Sequence, residues 1–232
     1  ATYHTEATTA RIAAAQRARL QDMATKQRLP LLKGAMSTLQ LARTSDNELR
    51  QLTEFLPNLN DLDTGLGRQA ALAMAAWRAG LCVSANLTTG GFDTHGDHDN
   101  RQGTAMTRLT QGLNEIWEEA ERLDIADRIT VIVGSDFGRT PGYNDGNGKD
   151  HWSITSMLFM GAGITGNRVI GATTDRHQHL KIDPDSLEVS ESGITIEPVH
   201  IQRALRKMAG INEDELSSRF PLATDLDLNL FG

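Results

Sequence analysis

Residues 129–141, ITVIVGSDFGRTP, contain the segment on which the predicted fold depends. The apolar and β-branched run at 129–133 is followed directly by Gly-Ser-Asp, which is typical of a short buried strand that ends in a turn. Before it, residues 104–123 carry apolar side chains at helical spacing. The pattern therefore predicts a helix that leads into a buried strand.

Two further short apolar runs lie on either side of this segment. Residues 81–88, LCVSANLT, and residues 156–160, SMLFM, are both predicted to be strands. Strand, helix and strand in this order indicate a parallel sheet with crossover helices. We therefore expect an α/β fold whose mostly parallel sheet is flanked by helices. Three strands are fewer than the roughly five or six of an average sheet, so an upstream segment or a partner chain is expected to complete it.

The remainder of the chain predicts a helical N-terminal lobe, residues 1–80, before the α/β domain that carries the site, residues 81–232. The lobe has helical patterns at residues 5–27, from Pro30, at 45–55 and at 65–80. Short runs at 168–170, 179–182 and 194–196 predict a small β-hairpin region near the C-terminus, followed by a helix over 198–208. The two parts are expected to form one continuous unit, or part of a longer protein.

Composition excludes several classes of function. The net charge of -7 argues against nucleic acid or an anionic membrane as the main partner, since both favour a basic surface. No run approaches the roughly 20 apolar residues of a membrane span. Residues 161–166 match G-x-G-x-x-G, but 167–171 predict a strand where dinucleotide binding needs a helix.

Residues 90–99, GGFDTHGDHD, form the first group that could carry chemistry. They follow a predicted strand, at the end where open α/β sheets bind ligands. Carboxylate and imidazole ligands together suit zinc, manganese or iron, whereas calcium prefers oxygen alone. The alternative is a polar loop whose acids cap the next helix.

Asp136 and Arg139 form the second group. A carboxylate directly after a buried strand needs a partner such as a metal ion or an arginine. Arg139 is a candidate for that partner, and equally for an anion clamp, because guanidinium binds phosphate or sulfate through two hydrogen bonds. The alternative is a structural Asp136–Arg139 pair within a turn.

Residues 144–152, NDGNGKDHW, form the third group. Their glycines predict a flexible approach loop that ends in Asp150 and His151, with Trp152 as a wall of the pocket. This is the third acid and histidine element at the same predicted sheet edge, and that coincidence indicates a shared site.

Four motifs in order, GFDTH at 91–95, SDFGRTP at 135–141, DHW at 150–152 and GAG at 161–163, resemble a known family. It is the bacterial family catalogued as domain of unknown function 1501, whose members are sulfatase-like and related to the alkaline phosphatase superfamily. The resemblance covers about residues 81–211. It implies an alkaline-phosphatase-like sheet between helices. It also implies export to the periplasm or secretion, by a signal upstream of Ala1.

The resemblance implies metal ligands residue by residue. Asp93 and His95 match the loop that supplies one metal, His151 matches the late histidine that completes it, and Asp136 matches the acid of a second metal. Asp150 is then either a ligand or an acid that orients one. Phe137 stands where the superfamily often has a second-site histidine.

The nucleophile of the superfamily has no counterpart in this chain and stays unknown. Ser135, Thr94 and Thr140 are hydroxyl residues near the motifs, but none has the strand-to-helix setting that is expected of it.

The sequence thus predicts a metal-dependent hydrolase of alkaline phosphatase or sulfatase type, acting on a small phosphate or sulfate ester. Its divalent ions would be zinc, manganese or calcium, which the sequence does not distinguish, and Arg139 would assist as an anion clamp. The alternative is a non-catalytic exported envelope or assembly protein that keeps the fold. A third hypothesis is an interaction protein that binds a partner through residues 1–60.

Overall fold

The computed structural model of the chain describes residues 4–26 and 52–232. The chain divides into two compact units, Ala1–Leu87 and Thr88–Gly232. The helix predicted from Pro30, and most of the one predicted over 45–55, lie outside the described residues; residues 52–55 are helical.

The first unit is helical where it is described. Helix α1 spans Glu6–Lys26, a short 3-10 turn spans Leu59–Asp61, and helix α2 spans Gly65–Arg78. The Thr64 side chain caps α2 by accepting a hydrogen bond from the backbone N–H of Gly67 at 2.8 Å. Leu66, Ala70 and Met74 recur every fourth residue and are buried, so they form the packed face of α2. The helices predicted over 5–27 and 65–80 are confirmed.

The second unit contains helices α3, His98–Arg122, α4, Pro198–Met208, and the short α5, Glu215–Ser218. Helix α3 begins six residues before the predicted position 104, so it starts inside the acid- and histidine-rich segment. Its buried side includes Ala105, Ile116 and Ala120. Helix α4 is confirmed over the predicted residues.

Four short strands follow α3: β1, Thr130–Val133; β2, Gly138–Arg139; β3, His151–Trp152; and β4, Leu158–Gly161. Strand β1 pairs with β4 in antiparallel register, with Thr130 opposite Gly161 and Val133 opposite Leu158. Strands β2 and β3 form an antiparallel ribbon between them, in which Arg139 faces His151. Side chains directly opposite each other in such a ribbon lie on one face, so Arg139 and His151 project to the same side.

The predicted α/β fold with a mostly parallel sheet is wrong. Within the described residues the sheets are two antiparallel pairs, β1–β4 and β2–β3. A parallel pair needs a crossover connection, usually a helix, but the chain between Val133 and Leu158 holds only the β2–β3 ribbon and so returns antiparallel. The predicted strand at 81–88 is not formed either, and Val83 is 93% exposed.

The predicted β-hairpin region near the C-terminus is reduced to isolated bridges. Thr173 pairs with His179, and Ile182 pairs with both Val189 and Ile194. Ile182 is fully buried and belongs to a hydrophobic cluster that includes residues of α4 and of the chain end. The members of that cluster are Ile182, Ala204, Leu228, Leu230 and Phe231.

Within residues 4–26 and 52–232, no helix combines the length and apolar character needed to cross a bilayer. The prediction of no membrane-spanning helix is confirmed for these residues.

Candidate metal centre

Three side chains from loops far apart in sequence meet in the second unit. Asp93 and His95 come from the loop before α3, and His151 comes from β3. The Nε2 atom of His151 lies 2.9 Å from Oδ1 of Asp93, and Nε2 of His95 lies 3.1 Å from both that oxygen and Nε2 of His151. All three side chains are exposed, so the group is open to a solute.

The spacing of these three atoms suits a shared ion. Two atoms bound at about 2.1 Å to one ion lie about 3.4 Å apart at the tetrahedral angle usual for zinc, and about 3.0 Å apart at the right angle of an octahedral site. The observed separations of 2.9–3.1 Å match the octahedral value. Two imidazoles and one carboxylate are a donor set that zinc and manganese accept, and it is also the facial set of non-haem iron(II) sites.

The hydrogen bond between His95 and Asp150 suits a metal ligand. Nδ1 of His95 lies 3.0 Å from Oδ1 of Asp150. Hydrogen bonds from Asn144 and His95 lower the pKa of Asp150, so its carboxylate only accepts, and Nδ1 must carry the proton. In neutral His95 the Nε2 atom then has a lone pair that faces the Asp93 carboxylate. A cation bound between Nε2 of His95 and the Asp93 carboxylate would be held by both acceptors.

Arg139 holds Asp93 from the other side. Its Nη2 atom donates to Oδ1 of Asp93 at 2.7 Å and to the carbonyl of Phe92 at 2.7 Å, while Nη1 donates to the carbonyl of Lys149 at 2.8 Å. The hydrogen bond from Arg139, followed by that from His151, lowers the pKa of Asp93 to about 2. Asp93 is therefore ionised at neutral pH, which is the form that binds a metal.

Phe137 supports the ring of His151. The two rings stack at 3.8 Å between centroids with an angle of 13° between their planes. The guanidinium of Arg139 lies 4.8 Å from the centroid of the Phe137 ring. Phe137 cannot bind a metal, but it fixes the orientation of one residue that can.

The two loops of the site are joined through their backbones. Gly96 forms a β-bridge with Asn147, and the backbone N–H of Lys149 donates to the carbonyl of Thr94 at 3.1 Å. The Asn144 side chain donates to the carbonyl of His95 at 3.1 Å and to Asp150 at 3.0 Å. A Cβ on Gly148 would lie 2.0 Å from the carbonyl oxygen of His95, so only glycine allows this approach.

The structure brings together part of the predicted site. Asp93, His95 and His151 form the group, and Asp150 lies behind His95 as an orienting acid. Asp136 follows β1, is exposed and is not a member of the group. Its proposed partner Arg139 pairs with Asp93 instead.

Three residues that support the site were not predicted: Asn144, Gly148 and the stacking role of Phe137. The signal for Asn144 and Gly148 lies in the glycine-rich segment 144–152, whose glycines predict only a flexible approach loop to Asp150 and His151. Their roles depend on contacts with residues about fifty positions earlier, which no local pattern encodes.

The hydroxyl groups considered as nucleophiles are all engaged within the protein. Ser135 Oγ donates to the carbonyl of Phe137 at 2.8 Å, and Thr140 Oγ1 donates to that of Gly142 at 3.0 Å. Thr94 is fully buried, with Oγ1 2.7 Å from Nδ1 of His98.

The antiparallel pairs, the helices and this open acid and histidine group define a chain with a candidate metal centre. The centre lies between the loop before α3 and the β2–β3 ribbon, which a β-bridge between Gly96 and Asn147 joins. A family described as "Protein of unknown function (DUF1501)" matches residues 2–190. Since that is most of the chain, the chain belongs to this family, as the motifs predicted. No curated protein and no solved structure matches the chain.

Proposed function

We propose that Asp93, His95 and His151 hold one divalent metal ion, and that the chain uses it to hydrolyse phosphate or sulfate esters. One observation carries the metal site: three potential ligand atoms converge within 4.8 Å of one another. It is supported by Oδ1 of Asp150, which lies 3.0 Å from the far nitrogen of His95. The ester chemistry rests on the likeness of the motifs to sulfatase-like proteins.

The residues around the ion would each hold one ligand in place. Asp150 keeps the proton on Nδ1 of His95, so that Nε2 is free to bind. Phe137 fixes the plane of His151, and Arg139 orients Asp93. A divalent ion with three protein ligands keeps a coordination position open and supplies Lewis-acid polarisation of an ester oxygen.

One ion is proposed rather than the two that the superfamily resemblance suggested. Asp136, the acid assigned to a second ion, is not in the group, and the residue after it is Phe137. The same resemblance leads us to propose that the chain acts in the periplasm or after secretion, on a small anionic ester.

The rival proposal is a non-catalytic envelope or assembly protein with a structural metal. It is favoured by the engagement of Ser135, Thr140 and Thr94 with protein partners. The two proposals share the metal ion and differ in whether substrate turns over.

The test begins with metal content. The chain is loaded separately with zinc, manganese, iron(II) under anaerobic conditions, and calcium, and the bound metal is measured by elemental analysis. We expect one ion per chain, lost in His151→Ala and retained in the matched control Asp136→Ala. Absence of bound metal from all four preparations would contradict both proposals.

Turnover then separates the two proposals. The loaded chain is assayed with aryl phosphates and aryl sulfates. Turnover that disappears in Asp93→Asn but persists in Asp136→Ala supports the hydrolase. Stoichiometric metal without turnover of either ester class favours the structural role.

A further inference from the structure

The loop that carries Asp93 and His95 has a separate set of polar contacts at Thr94. Thr94 lies between the two proposed ligands and is fully buried, whereas both ligands are exposed. Its Oγ1 atom lies 2.7 Å from Nδ1 of His98 and 3.4 Å from Oε1 of Gln102. These contacts hold the Thr94 side chain in place, because a buried hydroxyl without a hydrogen-bond partner lowers the stability of the fold.

These contacts continue into the loop that carries His151. The ring of His98 meets that of Tyr143 edge-on, with 6.2 Å between centroids and an angle of 76° between planes. Lys149 Nζ lies 4.9 Å from the centroid of the Tyr143 ring, and the Lys149 backbone N–H donates to the carbonyl of Thr94. The contacts thus form a closed ring that runs from Thr94 through His98, Tyr143 and Lys149 and returns to Thr94.

These contacts also explain why His95, and not His98, is available as a metal ligand. His95 and His98 are three residues apart in an acid-rich segment, and either could be a ligand by sequence. Nδ1 of His98 is directed at Thr94, and His98 does not belong to the three-residue group. Thr94 is held through both its side-chain hydroxyl and its backbone carbonyl. The backbone of its two neighbours, Asp93 and His95, is therefore held as well.

We propose that Thr94 and His98 are positioning residues that hold Asp93 and His95 in their metal-binding arrangement. The inference rests on the proposed metal site. Side chains that hydrogen-bond a ligand directly change metal affinity about 10–100-fold when they are removed. Thr94 and His98 act on the ligands through the backbone, so we expect a change of about 10-fold, at the lower end of that range.

The test compares matched variants of the full chain. Thr94→Val removes the hydroxyl and keeps the branched shape, whereas Thr94→Ser keeps the hydroxyl. Zinc affinity is measured by competition with a chromophoric chelator, and coordination by the absorption spectrum of the cobalt(II)-loaded protein. We expect Thr94→Val to raise the zinc Kd about 10-fold and to shift the cobalt spectrum, while Thr94→Ser stays close to wild type.

A second pair covers the case in which Thr94→Val does not fold. His98→Phe keeps a ring against Tyr143 without a polar atom at the Nδ1 position, and His98→Asn places one there. We expect only His98→Phe to weaken zinc binding.

Three results are decisive. Zinc Kd and cobalt spectrum unchanged in Thr94→Val and His98→Phe, with only a lower melting temperature of the metal-free protein, would assign these residues a merely structural role and overturn the inference. Wild-type protein that binds neither zinc nor cobalt would overturn the inference, and if it also bound no manganese, iron(II) or calcium the proposed metal site would be overturned with it. The inference is supported if Thr94→Val and His98→Phe bind zinc more weakly than wild type, and if Thr94→Ser and His98→Asn bind it about as tightly as wild type.

Discussion

At the scale of single residues, the site depends on how closely two backbones approach. A Cβ on Gly148 would lie 2.0 Å from both the carbonyl carbon and the carbonyl oxygen of His95, and these are backbone atoms that cannot rotate away. We expect Gly148→Ala to lower the free energy of unfolding by about 1–3 kcal/mol, the usual range for overpacking, and to weaken metal binding. Urea unfolding and zinc titration measure the two effects.

Gly142→Ala is the matched control, since a Cβ there has nothing within 4 Å and the residue lies in the same connection between β2 and β3. A Gly148→Ala protein as stable as Gly142→Ala, with wild-type zinc affinity, would show that the two loops are not packed as described.

Arg139 sets the ionisation of Asp93. Because the hydrogen bond from Arg139 is the largest cause of the pKa of about 2, Arg139→Gln should raise the pKa of Asp93 toward its ordinary value of 3.8. The lowered pKa of Asp93 stabilises the folded protein at pH values above 3.8. This contribution to stability is lost as the pH falls from 3.8 through about 2. In Arg139→Gln the folded and unfolded pKa values of Asp93 lie closer together, so this contribution should be smaller and stability should depend less on pH below 3.8.

The measurement is a carboxyl carbon NMR titration of the metal-free protein. Arg101→Gln is the control, since Arg101 donates to the carbonyl of Gly96 and not to Asp93. An Asp93 pKa that is the same in wild type and in Arg139→Gln would contradict the assigned cause.

Much of the site's composition could be predicted from the residue pattern. The sequence predicts four residues of the site, because acids and histidines close together in short glycine-containing segments are typical of metal sites. These residues are Asp93, His95, Asp150 and His151. The pattern also included Asp136, which lies outside the group, and it offered Arg139 as a partner of Asp136 or as an anion clamp, but not as the partner of Asp93. Which acid an arginine meets depends on tertiary contacts that the sequence does not encode locally.

At the scale of elements, helices were predicted well and strands poorly. Helix α4 lies over the predicted residues because Pro198 opens it and its pattern is local. Apolar runs such as 81–88 and 129–133 look alike in sequence, yet only the second forms a strand, since a strand needs a partner to satisfy its backbone. Strand direction was wrong because it was inferred from strand-helix-strand order, and one of those strands is not formed.

The antiparallel pairing of β1 with β4 can be tested by disulfide trapping. In a background where Cys82, the single cysteine, is replaced by serine, Val133→Cys with Leu158→Cys places two cysteines directly opposite each other. Opposed Cα atoms in an antiparallel pair are about 4.5–5.5 Å apart, within disulfide range, so rapid oxidation is expected.

Thr130→Cys with Leu158→Cys is the control. These positions are three residues out of register, roughly 10 Å along the strand, but would be opposite in a parallel pair that starts at the same residues. The antiparallel register would be refuted if a disulfide formed efficiently between cysteines at positions 130 and 158 and did not form between cysteines at positions 133 and 158.

At the scale of the whole molecule, the metal ion is expected to stabilise the unit that holds its ligands, Thr88–Gly232. An ion that binds only the folded form stabilises it by about 2.7 kcal/mol at a concentration 100 times its Kd. Hydrogen exchange should therefore slow on zinc addition in peptides that cover residues 93–98 and 144–151, where the two loops meet. His151→Ala should abolish the zinc effect, and equal slowing in that variant would place the ion elsewhere.

Anomalous X-ray scattering from a zinc-loaded crystal would show whether Asp93, His95 and His151 share one ion. We expect a single strong peak about 2.0–2.2 Å from Oδ1 of Asp93 and from Nε2 of both histidines. A fully loaded crystal with no peak among these three atoms, or with its zinc bound by other residues, would contradict a shared ion.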